Sequence, residues 1–346
     1  MSTKAKRVLE ILFFLGIMGL TLYAIFYKQN PMQILGALRQ MKPVYGLFAF
    51  LLGIAFVSLE GTMIWFLLHG LHGKSGLFQC IGYSFIGFFY SGITPSATGG
   101  QPMQLYYMQK DGNRASDSTV VLMTVALIYK LVLVLVGAGI LLGWSAPLHE
   151  HLGKYYYLFL IGIGLNTLLV LLIWAVMICP GVIRRLMQGV EHLLVRLGIW
   201  KADAHRMDSI EGFIQSYQNA VDFLRENPLK IGIVVLLTFV QRSTLFVLTY
   251  MIYLGFGLHG AAPMTVILLQ ASVYIAVDML PIPGAQGITE LMYQAVFSGV
   301  FTGGWLLPSM LVSRAENFYL LLIISMVIAI VSWRNGKRKK KVYASY

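Results

Sequence analysis

Residues 94–102 read TPSATGGQP, and residues 281–290 read PIPGAQGITE. Both segments, the first break (94–102) and the second break (281–290), interrupt apolar stretches. Proline removes a backbone donor and glycine destabilises a helix, so both breaks are predicted to be unwound. Unwound backbone survives at membrane depth only where protein or a wet cavity satisfies its polar groups. One such break in each half of a chain is typical of a transporter binding site.

The composition indicates a membrane protein. Of 346 residues, 58% are hydrophobic and 12% are charged, whereas soluble domains average about 25% charged residues. The formal net charge is +12, and the basic residues gather at the membrane edges. The expected partner is therefore an anionic membrane surface rather than nucleic acid. Cys80 and Cys179 lie in apolar stretches and indicate no disulfide framework.

The apolar pattern predicts an all-α polytopic membrane protein with about six full spans. Runs long enough to cross a bilayer lie near residues 8–27, 45–69, 118–143, 155–179, 229–256 and 308–333. The run 8–27 has no cleavage site after it, which favours a retained helix over a signal peptide. Segments 77–117 and 261–303 contain the breaks. We predict that they form two re-entrant hairpins which, with their flanking helices, make an inverted repeat.

Lys and Arg residues set the expected orientation. They are dense before residue 8, in the loop 180–228 and in the basic tail 334–346, so all three should be cytoplasmic. Two amphipathic patterns, 183–197 and 210–224, indicate helices within the loop. These helices either lie on the membrane surface or dock against the bundle. We expect one transmembrane domain over residues 1–346, with no separate soluble domain.

Several ionisable residues lie inside the predicted spans or beside the breaks. Burying a charged side chain in a membrane costs free energy, so such residues are candidates for a functional role. One alternative is that they form structural ion pairs, such as Glu60 with Lys130 or Arg242. The functional hypothesis is that helices restarting after Gly100 and Gly287 hold a lipid phosphate at their free N–H groups. Basic side chains would lie near that phosphate, and the acidic ones would meet a cationic headgroup or carry a proton.

The candidate residues for lipid binding and translocation combine both breaks with these charges. They are Glu60, Thr94, Pro95, Ser96, Gly99, Gly100, Gln101, Pro102, Lys130, Arg242, Asp278, Pro281, Pro283, Gly284, Gly287, Glu290 and Arg314. No catalytic triad, Walker motif or zinc pattern occurs in the sequence. We therefore predict no catalytic residue, metal or cofactor.

The TPS-x-x-GGQP first break, the P-x-PG-x-x-G-x-x-E second break and about eight membrane segments resemble a known family. It is the transmembrane region of lysyl-phosphatidylglycerol synthases, also called the flippase-like domain of the multiple peptide resistance factor. The resemblance covers roughly residues 8–333. The chain departs from it at Gly284-Ala285, where many members have Gly-Gly.

The resemblance implies lipid handling in the bacterial inner membrane and a link to antibiotic resistance. The family's membrane part is credited with moving aminoacylated phosphatidylglycerol to the outer leaflet. In its two-domain members a soluble domain makes that lipid from aminoacyl-tRNA. This sequence ends at Tyr346, soon after its last span, so we expect it to lack synthase activity.

We therefore expect a flippase or scramblase that handles phosphatidylglycerol, its lysyl ester or a lipid-linked headgroup. One alternative is a phosphatidylglycerol lysyltransferase, the activity by which the family is labelled. Another is a membrane protein that moves no lipid itself and instead binds a soluble enzyme. The sequence leaves the lipid, the energy source and a homo-oligomeric state open.

Overall fold

The structure is a computed structural model. It describes residues 39–94, 97–179, 204–280, 283–285, 287–302 and 304–343, with isolated positions between 32 and 36 and between 181 and 189. The predicted first span (8–27) and first amphipathic helix (183–197) lie outside the described residues. So do three candidate site residues, Pro95, Ser96 and Pro281.

The described chain is helical and contains no strand. Its helices are α1 (Pro43–Gly70), α2 (Leu77–Ile93), α3 (Gly100–Lys110), α4 (Ala115–Gly143), α5 (Ser145–Leu152), α6 (Tyr156–Ile178), α7 (Ala204–Glu226), α8 (Pro228–Gly255), α9 (Pro263–Val277), α10 (Ile288–Phe297), α11 (Leu306–Arg314) and α12 (Leu320–Tyr343). A π-helical turn, Ala315–Tyr319, joins α11 to α12.

Five helical segments of the described chain are long and apolar enough to cross a membrane. They are Pro43–Gly70, Ala115–Gly143, Ser145–Ile178, Pro228–Gly255 and Leu306–Arg334. Each corresponds to a predicted span, so the all-α polytopic class is confirmed. The third begins ten residues earlier than predicted, because the short helix α5 and a 3-10 turn, Gly153–Tyr155, precede α6.

Helices α1 and α8 run antiparallel along each other. At one end the Lys42 N–H donates to the Gly255 carbonyl at 3.0 Å. At the other end Gly70 lies beside the Lys230 amine. These helices begin the two halves of the predicted repeat, so the two halves have opposite orientations.

The hairpin of α2 and α3 begins and ends at one end of the bundle. The Lys74 N–H donates to Asn113 Oδ1 at 2.8 Å, and Asn113 Nδ2 donates to Ser75 Oγ at 2.6 Å. Deeper in the same hairpin, the Tyr83 hydroxyl donates to Asp111 Oδ2 at 2.7 Å. The loops before α2 and after α3 are thereby tied together, which is the geometry that a re-entrant segment requires.

The hairpin of α9 and α10 enters from the opposite end. The rings of Phe256 and Trp305 are 4.9 Å apart, and those of Tyr253 and Phe301 are 5.5 Å apart. These contacts join the end of α8 to the segment that follows α10. This end of α8 meets the start of α1, whereas the first hairpin follows the end of α1. The two hairpins therefore insert from opposite ends of the bundle.

Helix α7 contains the second amphipathic pattern of the loop 180–228, and it docks against the bundle. Its apolar face buries Ile214, Tyr217 and Leu224. The helix packs on α4, where the Tyr217 hydroxyl lies 3.6 Å from the sulfur of Met123. For this helix the docked alternative is the observed one, rather than a helix lying free on the membrane surface.

Candidate functional site

The two breaks meet at a cavity of about 200 Å³. The first hairpin contributes Ser91, Gly92 and Ala97 to its lining, and the second contributes Asp278, Gly284 and Ala285. Gly92 lies about 22 Å along α2 from Leu77, at 1.5 Å per residue. A bilayer's hydrocarbon core is about 30 Å thick, so the cavity lies well inside the membrane-spanning part of the fold.

The end of the second break is held by Arg314 and Glu290. Arg314 Nη2 donates to the Gly284 carbonyl at 2.9 Å, and its Nε lies 2.9 Å from Glu290 Oε1. The second Glu290 oxygen accepts from the Gly287 N–H at 2.6 Å. Both charged residues are more than nine-tenths buried. The N-terminus of α10 is therefore capped by a carboxylate of its own first turn.

Backbone conformation explains two glycines of the second break. Gly284 has φ +58° and Gly287 has φ +83°, values that other residues rarely adopt. A β-carbon at Gly284 would also collide with the Phe318 ring, whereas the space beside Gly287 is open. Gly284 thus satisfies both a backbone and a packing requirement, and Gly287 satisfies a backbone requirement alone.

The start of the second break is held by a second ion pair. Asp278, directly after α9, accepts hydrogen bonds from the Lys130 amine and the Tyr129 hydroxyl. Lys130 Nζ also lies 3.2 Å from the sulfur of Met279. Lys130 is near the middle of α4, and its side chain is 11% exposed. The second break is therefore fixed by one ion pair on each side.

The first break is held by neutral groups. Thr94 Oγ1 donates to the Tyr90 carbonyl at 2.7 Å and accepts from the Gly99 N–H at 2.9 Å. Gly100 is buried against α2, where a β-carbon would lie 2.8 Å from the Gly87 carbonyl. Its lack of a side chain therefore serves close helix packing. The candidates Gln101 and Pro102 are exposed.

Glu60 and Arg242 do not form the ion pair that the structural alternative offers. Glu60 accepts a hydrogen bond from Gln104 Nε2 at 2.7 Å. Arg242 Nη1 donates to the Tyr274 hydroxyl at 3.1 Å, and its guanidinium carbon lies 3.6 Å from the centre of the Tyr129 ring. Within the described chain, Arg242 has no carboxylate at ion-pair distance. Aromatic faces stabilise this buried cation instead.

Sequence reasoning missed the aromatic residues of the site. Tyr274 precedes Asp278 by four residues, and Phe318 follows Arg314 by four, so each lies on the same helical face as its charged neighbour. Both line the cavity. That spacing identifies such neighbours in principle. For Tyr129, the only sequence feature that could have indicated a place in the site is that it directly precedes Lys130.

The carboxylate of Glu290 lies where a phosphate is predicted to bind at the second break. At the second break, the N–H group of Gly287 and the guanidinium of Arg314 both already contact the carboxylate of Glu290. An incoming phosphate would compete with that carboxylate for the Gly287 N–H and for the Nε face of Arg314. The charged groups at this end of the second break are thus already paired with each other.

Comparison with known proteins places the chain in a family. Comparison with curated protein sequences gives no match. A family model described as the lysylphosphatidylglycerol synthase TM region matches residues 7–325, most of the chain. The predicted membership of this family is thereby confirmed. The chain belongs to the lysylphosphatidylglycerol synthase transmembrane-region family, whose members are membrane domains linked to the metabolism of that phospholipid.

Proposed function

We propose that this protein moves phospholipid headgroups across the membrane as a flippase or scramblase. The observation that carries the proposal is the cavity at which two broken hairpins, inserted from opposite ends, meet. A site between inverted elements needs only small movements of either hairpin to become accessible from one side or the other.

The size of the cavity favours a headgroup over a whole lipid. Pockets that enclose a drug-sized ligand measure about 300–1,000 Å³, and this cavity measures about 200 Å³. The acyl chains would stay in the bilayer while the headgroup enters. Phosphatidylglycerol or its lysyl ester agrees with the lipid after which the family is named.

The charges support an exchange mechanism. A lipid phosphate would replace the Glu290 carboxylate at Arg314, with similar N–H to oxygen contacts. An ammonium group on the same headgroup would meet the released Glu290 or Asp278. Because Arg314 also bonds the Gly284 carbonyl, this exchange would loosen the second break and allow the hairpin to move.

The test is lipid translocation in reconstituted vesicles. Fluorescent phosphatidylglycerol and lysyl-phosphatidylglycerol are placed in one leaflet, and their movement is followed by quenching. We expect wild-type protein to accelerate movement and Arg314→Gln to lose most of it. Arg225→Gln, at an exposed position of α7, is the matched control and should behave as wild type. Translocation unaffected by Arg314→Gln and by the cavity-filling variant Leu280→Trp would refute the proposal.

The lysyltransferase alternative has its own assay. We expect purified protein supplied with lysyl-tRNA and phosphatidylglycerol to form no lysyl-lipid. Both charged residues of the described lining, Asp278 and Arg314, are held in ion pairs, so neither is free to activate the lipid hydroxyl for acyl transfer. Robust product formation by this chain alone would favour the synthase instead.

We also propose a bacterial inner-membrane location with both termini cytoplasmic. This orientation places the loop before α2 in the cytoplasm and helix α5 outside. A cysteine replacing the exposed Lys74 should then react only from the cytoplasmic side, and one replacing the exposed His149 only from the outer side. The opposite labelling pattern would invert the orientation and leave the fold unchanged.

A further inference from the structure

Glu316 is a buried acid that the site described above does not use. It lies in the π-helical turn Ala315–Tyr319 and is 3% exposed. Its Oε2 has no hydrogen-bond partner, and no cation lies at ion-pair distance within the described chain. The acids of the site differ, since Asp278 and Glu290 each have a cationic partner.

Among the described residues, no counter-ion lies beside Glu316. Its turn packs on α1, where a β-carbon at Gly46 would lie 3.6 Å from Oε1 and one at Gly53 would lie 3.1 Å from the Glu316 carbonyl. Lys42 is exposed at the start of α1, and the Tyr45 side chain packs beside Gly255.

In the described part of the chain, the other charged or titratable groups near this turn are engaged elsewhere or belong to it. Arg314, on α11, is held by Glu290, and Glu60, further along α1, is held by Gln104. Tyr319 lies in the turn itself and packs against the Phe318 ring.

An ionised carboxylate in this position would be costly, because burial removes its hydration and no described cation replaces that hydration. Isolated π-helical turns also recur at functional sites. The ligand that removes the charge without needing extra space is a proton. We propose that Glu316 is a proton-binding site, and that its bound proton stabilises the arrangement of the cavity seen in the structure, in which Val273 is buried and which we call closed.

The turn connects Glu316 to the cavity directly. Arg314, two residues before it, holds the second break, and Phe318, two residues after it, packs on Gly284 and lies 6.2 Å from the Phe88 ring. When the proton leaves, the carboxylate needs water or a cation. The turn must then move, and both contacts to the second break move with it.

Proton binding to Glu316 and opening of the cavity oppose each other in this proposal. The closed arrangement binds the proton more tightly than an arrangement in which the carboxylate is hydrated. Closure is therefore favoured at low pH, and opening increases as pH rises through the two proton affinities. A tenfold difference between those affinities changes the opening equilibrium by up to about tenfold. This inference rests on the fold and not on lipid transport, so it is testable without a transport assay.

The experiment measures access to the cavity as a function of pH. Val273 is buried and lines the cavity. Val273→Cys is made in full-length protein that also carries Cys179→Ser, because Cys179 is exposed whereas Cys80 is buried. The rate of labelling by N-ethylmaleimide in phosphatidylglycerol-containing vesicles is followed from pH 6 to 9. The reagent's rate with free cysteine is measured at each pH as the correction.

We expect the corrected rate to rise about tenfold over this range in the otherwise wild-type protein, and to stay flat with Glu316→Gln, which mimics the protonated acid. Glu226→Gln, at an exposed position on α7, should follow wild type. Glu316→Met is a second neutral variant in case the first does not fold. A flat corrected profile in wild-type protein, or the same rise in the neutral variants, would overturn the proposal. Neither outcome bears on whether the protein moves lipid.

Discussion

Removing Lys130 should destabilise the protein, because it leaves the buried Asp278 carboxylate without its cation. The two side chains are 11% and 8% exposed. Breaking such a pair from one side costs about 3–5 kcal/mol. Asp278 keeps the hydrogen bond from Tyr129, which places Lys130→Met at the lower end, about 3 kcal/mol. With the unfolding entropy of about 2.1 cal/mol/K per residue over 346 residues, that is a fall in Tm of about 4 °C.

The double variant Lys130→Met with Asp278→Asn separates an ion-pair effect from a packing effect. Asparagine is neutral and still accepts the Tyr129 hydrogen bond, so the double variant should recover about 2 kcal/mol of the loss. Thermal unfolding in detergent micelles measures each variant, with Lys74→Met as the exposed control. A Tm for Lys130→Met within 1 °C of wild type, or no recovery in the double variant, would refute the reasoning.

The remaining predictions concern packing. Gly100→Ala should lower the free energy of unfolding by about 1–3 kcal/mol, because the added methyl group has no room against α2. Gly139→Ala lies in an open part of α4 and should be neutral or stabilising by up to about 1 kcal/mol. Gly162→Ala should destabilise similarly by pushing α6 away from the backbone of α9, and Gly164→Ala on the same helix faces open space and should not. Thermal unfolding checks both pairs, and equal effects within a pair would contradict the packing argument. Leu224→Ala should cost about 2–5 kcal/mol at the docked face of α7 and increase tryptic cleavage of that helix, while unchanged cleavage would mean that α7 is not held by this face.

The spans and the breaks could be predicted because they depend on local composition. A helix of about 20 apolar residues is long enough to span the bilayer whatever its neighbours are. Proline and glycine together interrupt a helix through their own backbone properties. The boundaries of α2 agree with its predicted segment, 77–93, for the same reason. The early start of the third span was missed because α5 carries His149, Glu150 and His151, which interrupt the apolar pattern.

The partners of the buried charges could not be predicted from the sequence. Lys130 and Asp278 are 148 residues apart in the chain, and their contact depends on how α9 lies against α4. The sequence offered Glu60 as a partner because it is the acid of a neighbouring span. Instead, Glu60 accepts a hydrogen bond from Gln104 of the first hairpin, a residue that is not among the candidates. Charge pairing in a bundle is decided by helix packing, which single-sequence patterns do not encode.

The two breaks look alike in sequence but are fixed by different forces, and this asymmetry has a functional consequence. Hydrogen bonds of Thr94 within its own segment close the first break. The second break is held from outside, by Lys130 on α4 and Arg314 on α11. Local neutral bonds move with their segment, whereas ion pairs to other helices must break for the segment to move. A charged headgroup would offer replacement partners for those ion pairs, whereas the described residues of the first break form no ion pair to exchange. Under the proposed function, the second hairpin is therefore the element whose movement a charged lipid would control.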